Sequence, residues 1–537
     1  MSATQKLWPW VSALLSGFLL ALSLPPCNQS WLAWIALTPL VSAVWFSESW
    51  TKRDALRIFL LGYVMGFAFF MTTFFWITTV SYEGWMALPF YIALYPAAWA
   101  LFIKYCGMPR EKSGADKSIW LSSINNLRLA LLCAAAWTGL EWARGVLFTG
   151  FGWNGIGVAL HDNIVMIQIT KVTGVGGLTF MIVLVNVTLV ATIKRLRMEM
   201  GKAFLRSHYD FTLPMAIVVL VLLHGVYAIK QKEELMPLRI AAVEGNIPKN
   251  FHWDDAFEKY IIDTYTRLTE TAVLMKPELL IWPEAALPRA IFSDDKTREV
   301  VETLARKFDG DFLLGTIYFD NAGDYNSAAL LTNHGQEAQL YHKMHLVPFG
   351  EFLPLRHSIS IFGPIAGALI PSDFTAGIEP VVFEMAAKRA RVAPLICFED
   401  TLGDLAREFI LRGAQLFVTV TNDGWFMESA EPRQHLANAV FTCAENGIPM
   451  VRAANTGITC IIDRFGHVQQ RLENEKGGTA LEGILLGTVD LPTHPVLTFY
   501  ARHGELFSIT CLVITLIAVL FFLLCSKPPM QAKAKTE

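Results

Sequence analysis

The chain has 537 residues, of which 53% are hydrophobic and 17% charged, and its mean hydropathy is +0.40. Soluble globular proteins carry about 25% charged residues, so this composition is typical of a chain that lies largely in lipid. The net charge of -3 and the pI near 6.5 give no electrostatic reason to expect a nucleic-acid partner.

A bilayer span needs about 20 mostly apolar residues, and the chain contains about eight such runs. Seven lie within residues 1–230, which we expect to be transmembrane, and the eighth forms a C-terminal span within 503–526. The first follows Lys6, as the apolar core of a signal peptide would, but Pro25-Pro26 leads into another apolar run, so we interpret it as a retained span. The runs are 7–24, 31–46, 55–80, 86–106, 127–148, 164–196, 213–229 and 506–525.

Lysine and arginine are concentrated in alternate loops. They follow the second, fourth, sixth and eighth runs, whereas the loops 25–30 and 81–85 have neither. Because basic loops stay in the cytoplasm, we expect both termini to be cytoplasmic and the long segment before the last span to face outward.

Residues 238–495 have a different pattern, in which short β-branched stretches alternate with charged helical ones. This pattern predicts an α/β domain whose strands are buried on both faces, and about 250 residues suffice for a separate core. The predicted strands are 238–243, 278–282, 312–318, 328–332, 392–397 and 416–421.

Three predicted strands end at reactive side chains, and active groups of α/β sheets gather at strand ends. These side chains are Glu284, Lys343 and Cys397. Taken singly, each has an ordinary explanation, as a helix-start glutamate, a solvated lysine or a core cysteine. Together they are the groups that acyl transfer to cysteine requires, because a thiol needs a base and the developing oxyanion needs a fixed cation.

Other polar side chains are interpreted as structural. His342, His345 and His435 are not needed as a base, since Glu284 can supply one. Glu141 and Arg144 lie one helical turn apart and are expected to pair at the outer interface. The eight cysteines form no CxxC pair and no zinc-spaced Cys/His cluster, so we expect no metal and no dissociable cofactor.

The ordered motifs WPE (282–284), YHKMHLVPFGE (341–351) and ICFE (396–399) resemble the nitrilase, or carbon-nitrogen hydrolase, superfamily. With about seven spans before this domain and one after, the chain resembles the apolipoprotein N-acyltransferase family in particular. Gly152 departs from the family pattern, which has a proline there. Further matching segments extend the resemblance over nearly the whole chain: 141–151, 244–248, 421–426 and 452–457.

The resemblance implies an α-β-β-α sandwich domain attached to the transmembrane helices. It also implies a Glu-Lys-Cys triad with Cys397 as nucleophile, Glu284 as general base and Lys343 as stabiliser of the oxyanion. Glu351 and Glu399 would be supporting carboxylates that hold Lys343 and tune the charge around the thiol.

Two tryptophans and one insertion are further candidates. Trp253 and Trp425 match aromatic positions that the family associates with the site or its mobile loops, although they could be ordinary core or surface residues. The apolar, Gly/Pro-broken segment 359–370 is expected to form either a flap that contacts the bilayer or a short pair of core helices.

The resemblance further implies a two-step acyl transfer, the last step of lipoprotein maturation. Cys397 would take an acyl chain from a phospholipid, expected to be phosphatidylethanolamine, and pass it to the N-terminal amine of a lipoprotein's diacylglyceryl-cysteine. The enzyme would be a monomer in the bacterial inner membrane, with its catalytic domain in the periplasm. The alternatives are a membrane-tethered amidase acting on a small soluble amide, and a scaffold or transporter with an inactive domain.

Overall fold

The computed structural model describes residues 2–48, 53–106, 122–199, 208–248, 255–332, 337–354, 372–386, 388–426 and 428–525. Within them, a helical half is followed by a half with two β-sheets, and the last helix, Leu506–Cys525, returns to the helical half. A Cβ on Gly139 would lie 2.6 Å from the Leu512 Cα. The last helix therefore packs directly on the helix Ser123–Val146.

Six helices among the described residues are long and apolar enough to cross a membrane, fewer than the roughly eight apolar runs. The run 31–46 divides into a 3-10 turn, Ser30–Trp34, and a short helix, Thr38–Phe46. The helix Ser123–Val146 has 24 residues but carries polar residues near both ends. The six are Ala3–Ser23, Asp54–Thr73, Tyr82–Tyr105, Gly176–Met198, Tyr209–Lys230 and Leu506–Cys525.

The described part of the second half contains twelve strands in two six-stranded sheets. The first sheet consists of β1 (Leu235–Glu244), β2 (Leu279–Ile281), β3 (Asp311–Phe319), β4 (Asp324–Thr332), β5 (Gln339–His342) and, later in the chain, β12 (Gly483–Pro492). The second consists of β6 (Phe383–Glu384), β7 (Arg391–Ile396), β8 (Leu416–Thr421), β9 (Met450–Ala454), β10 (Cys460–Ile462) and β11 (Val468–Arg471).

Each sheet has a parallel centre. The strand orders are β12-β1-β2-β3-β4-β5 and β11-β10-β9-β8-β7-β6. The strands β1, β2 and β3 are parallel, as are β7, β8 and β9, and the remaining pairs are antiparallel. The strands predicted from β-branched stretches are confirmed, because such residues fit strands that are buried on both faces.

The two sheets lie face to face between two layers of helices. Alternate residues of β1 point to opposite faces of the first sheet. Ile240 packs with the second sheet, whereas Val243 packs with the helix Asp255–Val273. The helices Gly403–Leu411 and Glu431–Asn446 cover the second sheet. This arrangement confirms the predicted α-β-β-α sandwich and places one helix of its outer layer, Glu431–Asn446, against the helical half.

Candidate active site

Glu284, Lys343 and Cys397 lie just beyond the ends of β2, β5 and β7. The Lys343 Nζ is 3.8 Å from Glu284 Oε1, and the charges of both side chains act on the pKa of the Cys397 thiol. The structure therefore brings together the three residues that the sequence singled out.

The backbone at Cys397 is strained. Its φ is +54°, in the left-handed region that favours glycine, where β7 turns into the 3-10 helix Cys397–Thr401. Residues held in this way cluster at functional sites. Burial, and after it the Glu284 carboxylate, raises the pKa of the Cys397 thiol well above its ordinary value. The thiol is therefore protonated at neutral pH and needs a base before it can attack a carbonyl.

Glu284 lies in a turn that packs directly on β3. A Cβ on Gly315 of that strand would lie 2.6 Å from the Glu284 Cα, so a side chain there would displace the turn. Burial raises the pKa of Glu284, and the nearby ammonium of Lys343 opposes this effect only in part. A raised pKa makes the Glu284 carboxylate a stronger base than an ordinary glutamate.

Lys343 is 1% exposed and is held by Glu351. The Lys343 Nζ donates to Glu351 Oε1 at 2.8 Å, and Glu351 Oε2 accepts from the Val347 N–H at 2.8 Å. Burial alone would lower the pKa of Lys343, but Glu351 and Glu284 outweigh it and raise the pKa above its usual value. The ammonium thus stays charged and fixed, as stabilisation of an oxyanion requires.

Asn326, which the sequence did not single out, links the two carboxylates. Its Nδ2 donates to Glu284 Oε1 at 2.7 Å and to Glu351 Oε1 at 2.8 Å. Its backbone carbonyl oxygen accepts from the backbone N–H of Lys343 at 2.8 Å. The residue lies inside β4, where no sequence motif marks it, and only the pairing of β4 with β5 brings it to the site.

Glu399 is fully buried and ties two segments of the site together through their backbones. Burial raises its pKa to about 7, with Lys343 opposing. Glu399 therefore holds the Lys343 segment rather than the ammonium itself and fastens it to the end of β7. Its Oε1 accepts from Tyr341 Oη at 2.9 Å, Met344 N at 2.8 Å and His345 N at 3.1 Å, and its Oε2 accepts from Ile396 N at 2.9 Å.

Of the two candidate tryptophans, Trp425 lies among the described residues. Trp253 and the apolar insertion 359–370 lie outside the described residues. Trp425 lies in the 3-10 helix Asp423–Phe426, directly after β8, and is 52% exposed. Because β7 and β8 are parallel neighbours, Trp425 lies at the same edge of the sheet as Cys397.

Two of the three histidines lie close to the site. His342 shares a hydrogen bond of 2.8 Å with Ser327 Oγ and packs on Tyr325, on the face of β5 opposite to Lys343. The His345 ring lies 5.8 Å from that of Phe398. Burial lowers the pKa of His345, so its ring is neutral at neutral pH. These contacts agree with structural roles.

His435 lies in a buried ionic network behind the site. Its Nε2 is 2.9 Å from Asp400 Oδ1, and its Nδ1 is 3.2 Å from Asp423 Oδ1. Burial alone would lower the pKa of His435, but Asp400 outweighs it, and the pKa rises to about 10. Asp423 also accepts from Thr421 Oγ1 at 3.0 Å, so the network extends to the end of β8.

Asp423, Glu431 and His435 place possible metal-ligand atoms within 4.8 Å of one another. A histidine that carries both ring protons has no free lone pair for a metal, and Arg452 adds a second buried cation, paired with Asp400. The positive charges of this cluster come from its own side chains, so we interpret it as a structural ion network.

Glu141 and Arg144 are expected from the sequence to pair, but each bonds to other groups instead. Glu141 accepts from Thr179 Oγ1 at 2.5 Å and from the Ile156 N–H at 2.9 Å, whereas Arg144 donates to the Trp153 carbonyl at 3.1 Å. The chain after the helix Ser123–Val146 folds back on that helix. Backbone groups of this returning segment form hydrogen bonds with both side chains. The two residues therefore fix the Trp153 loop.

Two family models match the chain. The first, the apolipoprotein N-acyltransferase N-terminal domain, matches residues 16–188, and the second, carbon-nitrogen hydrolase, matches residues 239–493. The two matches correspond to the helical half and to the half with two sheets.

Relatives match across both halves. A protein of Geobacter metallireducens named apolipoprotein N-acyltransferase is 33% identical, over 94% of this chain and 93% of its own. A protein of Rhodopseudomonas palustris with the same name is 28% identical, over 97% and 96%. Among solved structures, an amidase from Nesterenkonia sp. overlaps 50% of this chain and 93% of its own, at 17% identity and a TM-score of 0.35.

Proposed function

This chain belongs to the apolipoprotein N-acyltransferase family, and we propose that it moves an acyl chain from a membrane phospholipid to the N-terminal amine of a lipoprotein's diacylglyceryl-cysteine. The observation that carries the proposal is the cluster of Glu284, Lys343 and Cys397 on a chain whose described residues include six helices apolar enough to cross a membrane. We further propose phosphatidylethanolamine as the donor and a monomer as the active form.

In the first step, Glu284 takes the thiol proton as the sulfur of Cys397 attacks an ester carbonyl of the phospholipid. The negative oxygen of the tetrahedral intermediate lies against the ammonium of Lys343. The bond to the lysophospholipid oxygen then breaks, and Glu284 returns its proton to that oxygen. The product on the enzyme is a thioester at Cys397.

In the second step, the amine of the lipoprotein attacks the thioester carbonyl. Glu284 takes a proton from the attacking nitrogen, and Lys343 again stabilises the oxyanion. The carbon–sulfur bond breaks, an amide forms, and the proton on Glu284 returns to Cys397. Apolar surroundings that keep water from the thioester prevent its hydrolysis.

We propose that residues 1–230 form the transmembrane half, 238–495 the catalytic domain and 503–526 the C-terminal span. The enzyme would lie in the bacterial inner membrane, with the catalytic domain in the periplasm and both termini in the cytoplasm. The alternation of basic loops with loops that lack lysine and arginine supports this orientation.

Two alternatives are less well supported. A tethered amidase would use the same triad, but the helical half would then serve only as an anchor, whereas its Trp153 ring stacks on Phe398 beside the nucleophile. A scaffold with an inactive domain would not need the buried, paired ammonium of Lys343.

The test uses the purified full-length protein in detergent with acyl-labelled phosphatidylethanolamine and no acceptor. We expect label on the wild type that neutral hydroxylamine removes, and none on Cys397→Ala. Cys27→Ala, which removes an exposed thiol, is the matched control and should keep the label. A folded wild type that takes no label from any of several phospholipids would rule out a phospholipid donor.

A further inference from the structure

Gln434 joins the two halves of the protein with every hydrogen-bonding position of its side chain. It is fully buried on the helix Glu431–Asn446. A glutamine amide has two N–H donors and two acceptor lone pairs, and all four have partners in the helical half. The Nε2 donates to the carbonyl oxygens of Pro25 and Thr73, both at 3.0 Å, and the Oε1 accepts from Trp76 Nε1 at 2.9 Å and Trp153 Nε1 at 3.1 Å.

The four partners come from separate segments of the helical half. Pro25 follows the first helix, and Thr73 ends the helix Asp54–Thr73. Trp76 lies in the 3-10 turn after that helix, and Trp153 lies in the loop after Ser123–Val146. One side chain of the catalytic half thus holds the ends of three long helices in a fixed relation.

Trp153 connects Gln434 to the nucleophile. Its ring stacks on Phe398, with centroids 5.7 Å apart and an angle of 8° between the planes. Phe398 directly follows Cys397, whose backbone is strained. A strained residue keeps its conformation only where the surroundings enforce it, and the Trp153–Phe398 stack is one such constraint.

A second connection runs through the next residue of the same helix. His435 bonds to Asp423, which accepts from Thr421 Oγ1, and Thr421 ends β8, the parallel neighbour of the strand β7 that leads into Cys397. We use 'Cys397 turn' for the point where β7 is followed by the 3-10 helix Cys397–Thr401. A shift of the helix at Gln434 would therefore displace contacts of the Cys397 turn along two separate routes.

We propose that Gln434 is a positioning residue, which lets the helical half hold the Cys397 turn in its reactive geometry through the indole of Trp153. The proposal rests on the proposed role of Cys397 as nucleophile. A misplacement of about 1 Å at a reacting centre costs about 100-fold in rate, so the loss of this restraint is expected to slow the formation of the acyl-enzyme.

The variants are Gln434→Leu, which removes all four bonds, and Trp153→Phe, which keeps a ring on Phe398 but loses the N–H to Gln434. The matched control is Gln168→Leu. Gln168 is also fully buried and crosses between the halves, because its Nε2 donates to the Phe465 carbonyl at 2.8 Å. Phe465 follows β10 and is not part of the Cys397 turn.

The first readout is the single-turnover rate constant of acylation as a function of donor concentration. We expect the acylation rate constant to fall about tenfold or more in Gln434→Leu and Trp153→Phe, while the donor concentration at half-saturation stays unchanged. In Gln168→Leu the rate constant should stay within about twofold of the wild type. A folded Gln434→Leu within about threefold of the wild type would overturn the proposal, as would an equal loss in Gln168→Leu. If Gln434→Leu does not fold, Trp153→Phe decides.

The second readout needs no acyl donor. Alkylation of Cys397 by iodoacetamide, followed by mass spectrometry across pH, reports the geometry and ionisation of the thiol directly. We expect the pH profile to change in Gln434→Leu and Trp153→Phe but not in Gln168→Leu, and unchanged profiles would overturn the proposal. If the wild type forms no acyl-enzyme, acyl transfer fails while alkylation still tests the positioning role.

Discussion

Replacing Glu351 with glutamine is expected to slow the acylation of Cys397 and to move its pH dependence at the same time. The Lys343–Glu351 bond is charge-assisted and 2.8 Å long, and a hydrogen bond to a charged group contributes about 1.5–3 kcal/mol. About 1.4 kcal/mol corresponds to a factor of ten in rate. Glutamine keeps a neutral acceptor oxygen but not the charge, so if the charged bond holds the ammonium in the transition state, the acylation rate falls about 10-fold or more, up to about 150-fold.

The direction of the pH shift follows from the charges around Glu284. The negative charge of Glu351 raises the pKa of Glu284, and Lys343 lowers it. Removing that charge lowers the pKa of Glu284. It also releases Lys343 to close the 3.8 Å gap to Glu284, which lowers the pKa further. Because Glu284 must be ionised to act as a base, the acid limb of the rate profile moves to lower pH.

Asn326→Leu provides a matched variant with the opposite sign. The Asn326 hydrogen bond favours the ionised form of Glu284 and lowers its pKa. Its loss raises that pKa, and the acid limb moves to higher pH. Single-turnover acylation with labelled phospholipid, measured across about pH 4 to 9 for both variants, tests the reasoning. Shifts in the same direction, or a Glu351→Gln rate within about threefold of the wild type, would refute it.

Three further outcomes are expected. Tyr341→Phe removes one donor to Glu399 and should lower the free energy of unfolding by about 1 kcal/mol; no loss in denaturant unfolding would contradict this role. His435 has a pKa raised to about 10 in the folded protein, so its charge stabilises the fold fully below about pH 6.5. That stabilisation is lost as the pH rises through about 10. The difference in thermal stability between the wild type and His435→Gln, measured by thermal unfolding, should therefore narrow over this range. Gly315→Ala should cost about 1–3 kcal/mol and also slow acylation, because its Cβ would meet the Glu284 turn; unchanged acylation would contradict this.

The catalytic half could be predicted from the sequence because its signals are local. Runs of β-branched residues mark the buried strands, and the chemistry of a few residue types marks their ends. Glu284, Lys343 and Cys397 each follow a strand in the structure. Strands β2 and β5 run in the same direction and end at one edge of the first sheet, whereas β7 belongs to the second, so the meeting of the three side chains also depends on how the two sheets face each other.

The part of Asn326 and the charge of His435 could not be predicted, because both depend on pairing in three dimensions. Asn326 is the third residue of β4, and nothing in an alternating strand pattern indicates which carboxylates lie beside it. His435 carries a charge only because Asp400 and Asp423, far from it in sequence, lie at its two nitrogens. The Glu141–Arg144 pair failed for the same reason, since backbone groups that fold back later occupy both side chains.

The interface between the halves shows contacts near Cys397 that hydropathy alone does not assign to the helical half. Apolar runs identify helices that can cross a membrane, but they assign those helices no part in the chemistry. In the structure, Trp153 of the helical half stacks on Phe398, and Gln434 of the catalytic half is buried among helix ends. A catalytic half without the helical half would keep Glu284 and Cys397. It would lose the Trp153 ring that stacks on Phe398 and all four partners of the Gln434 side chain. The helical half is therefore part of the structure that holds the backbone turn at Cys397.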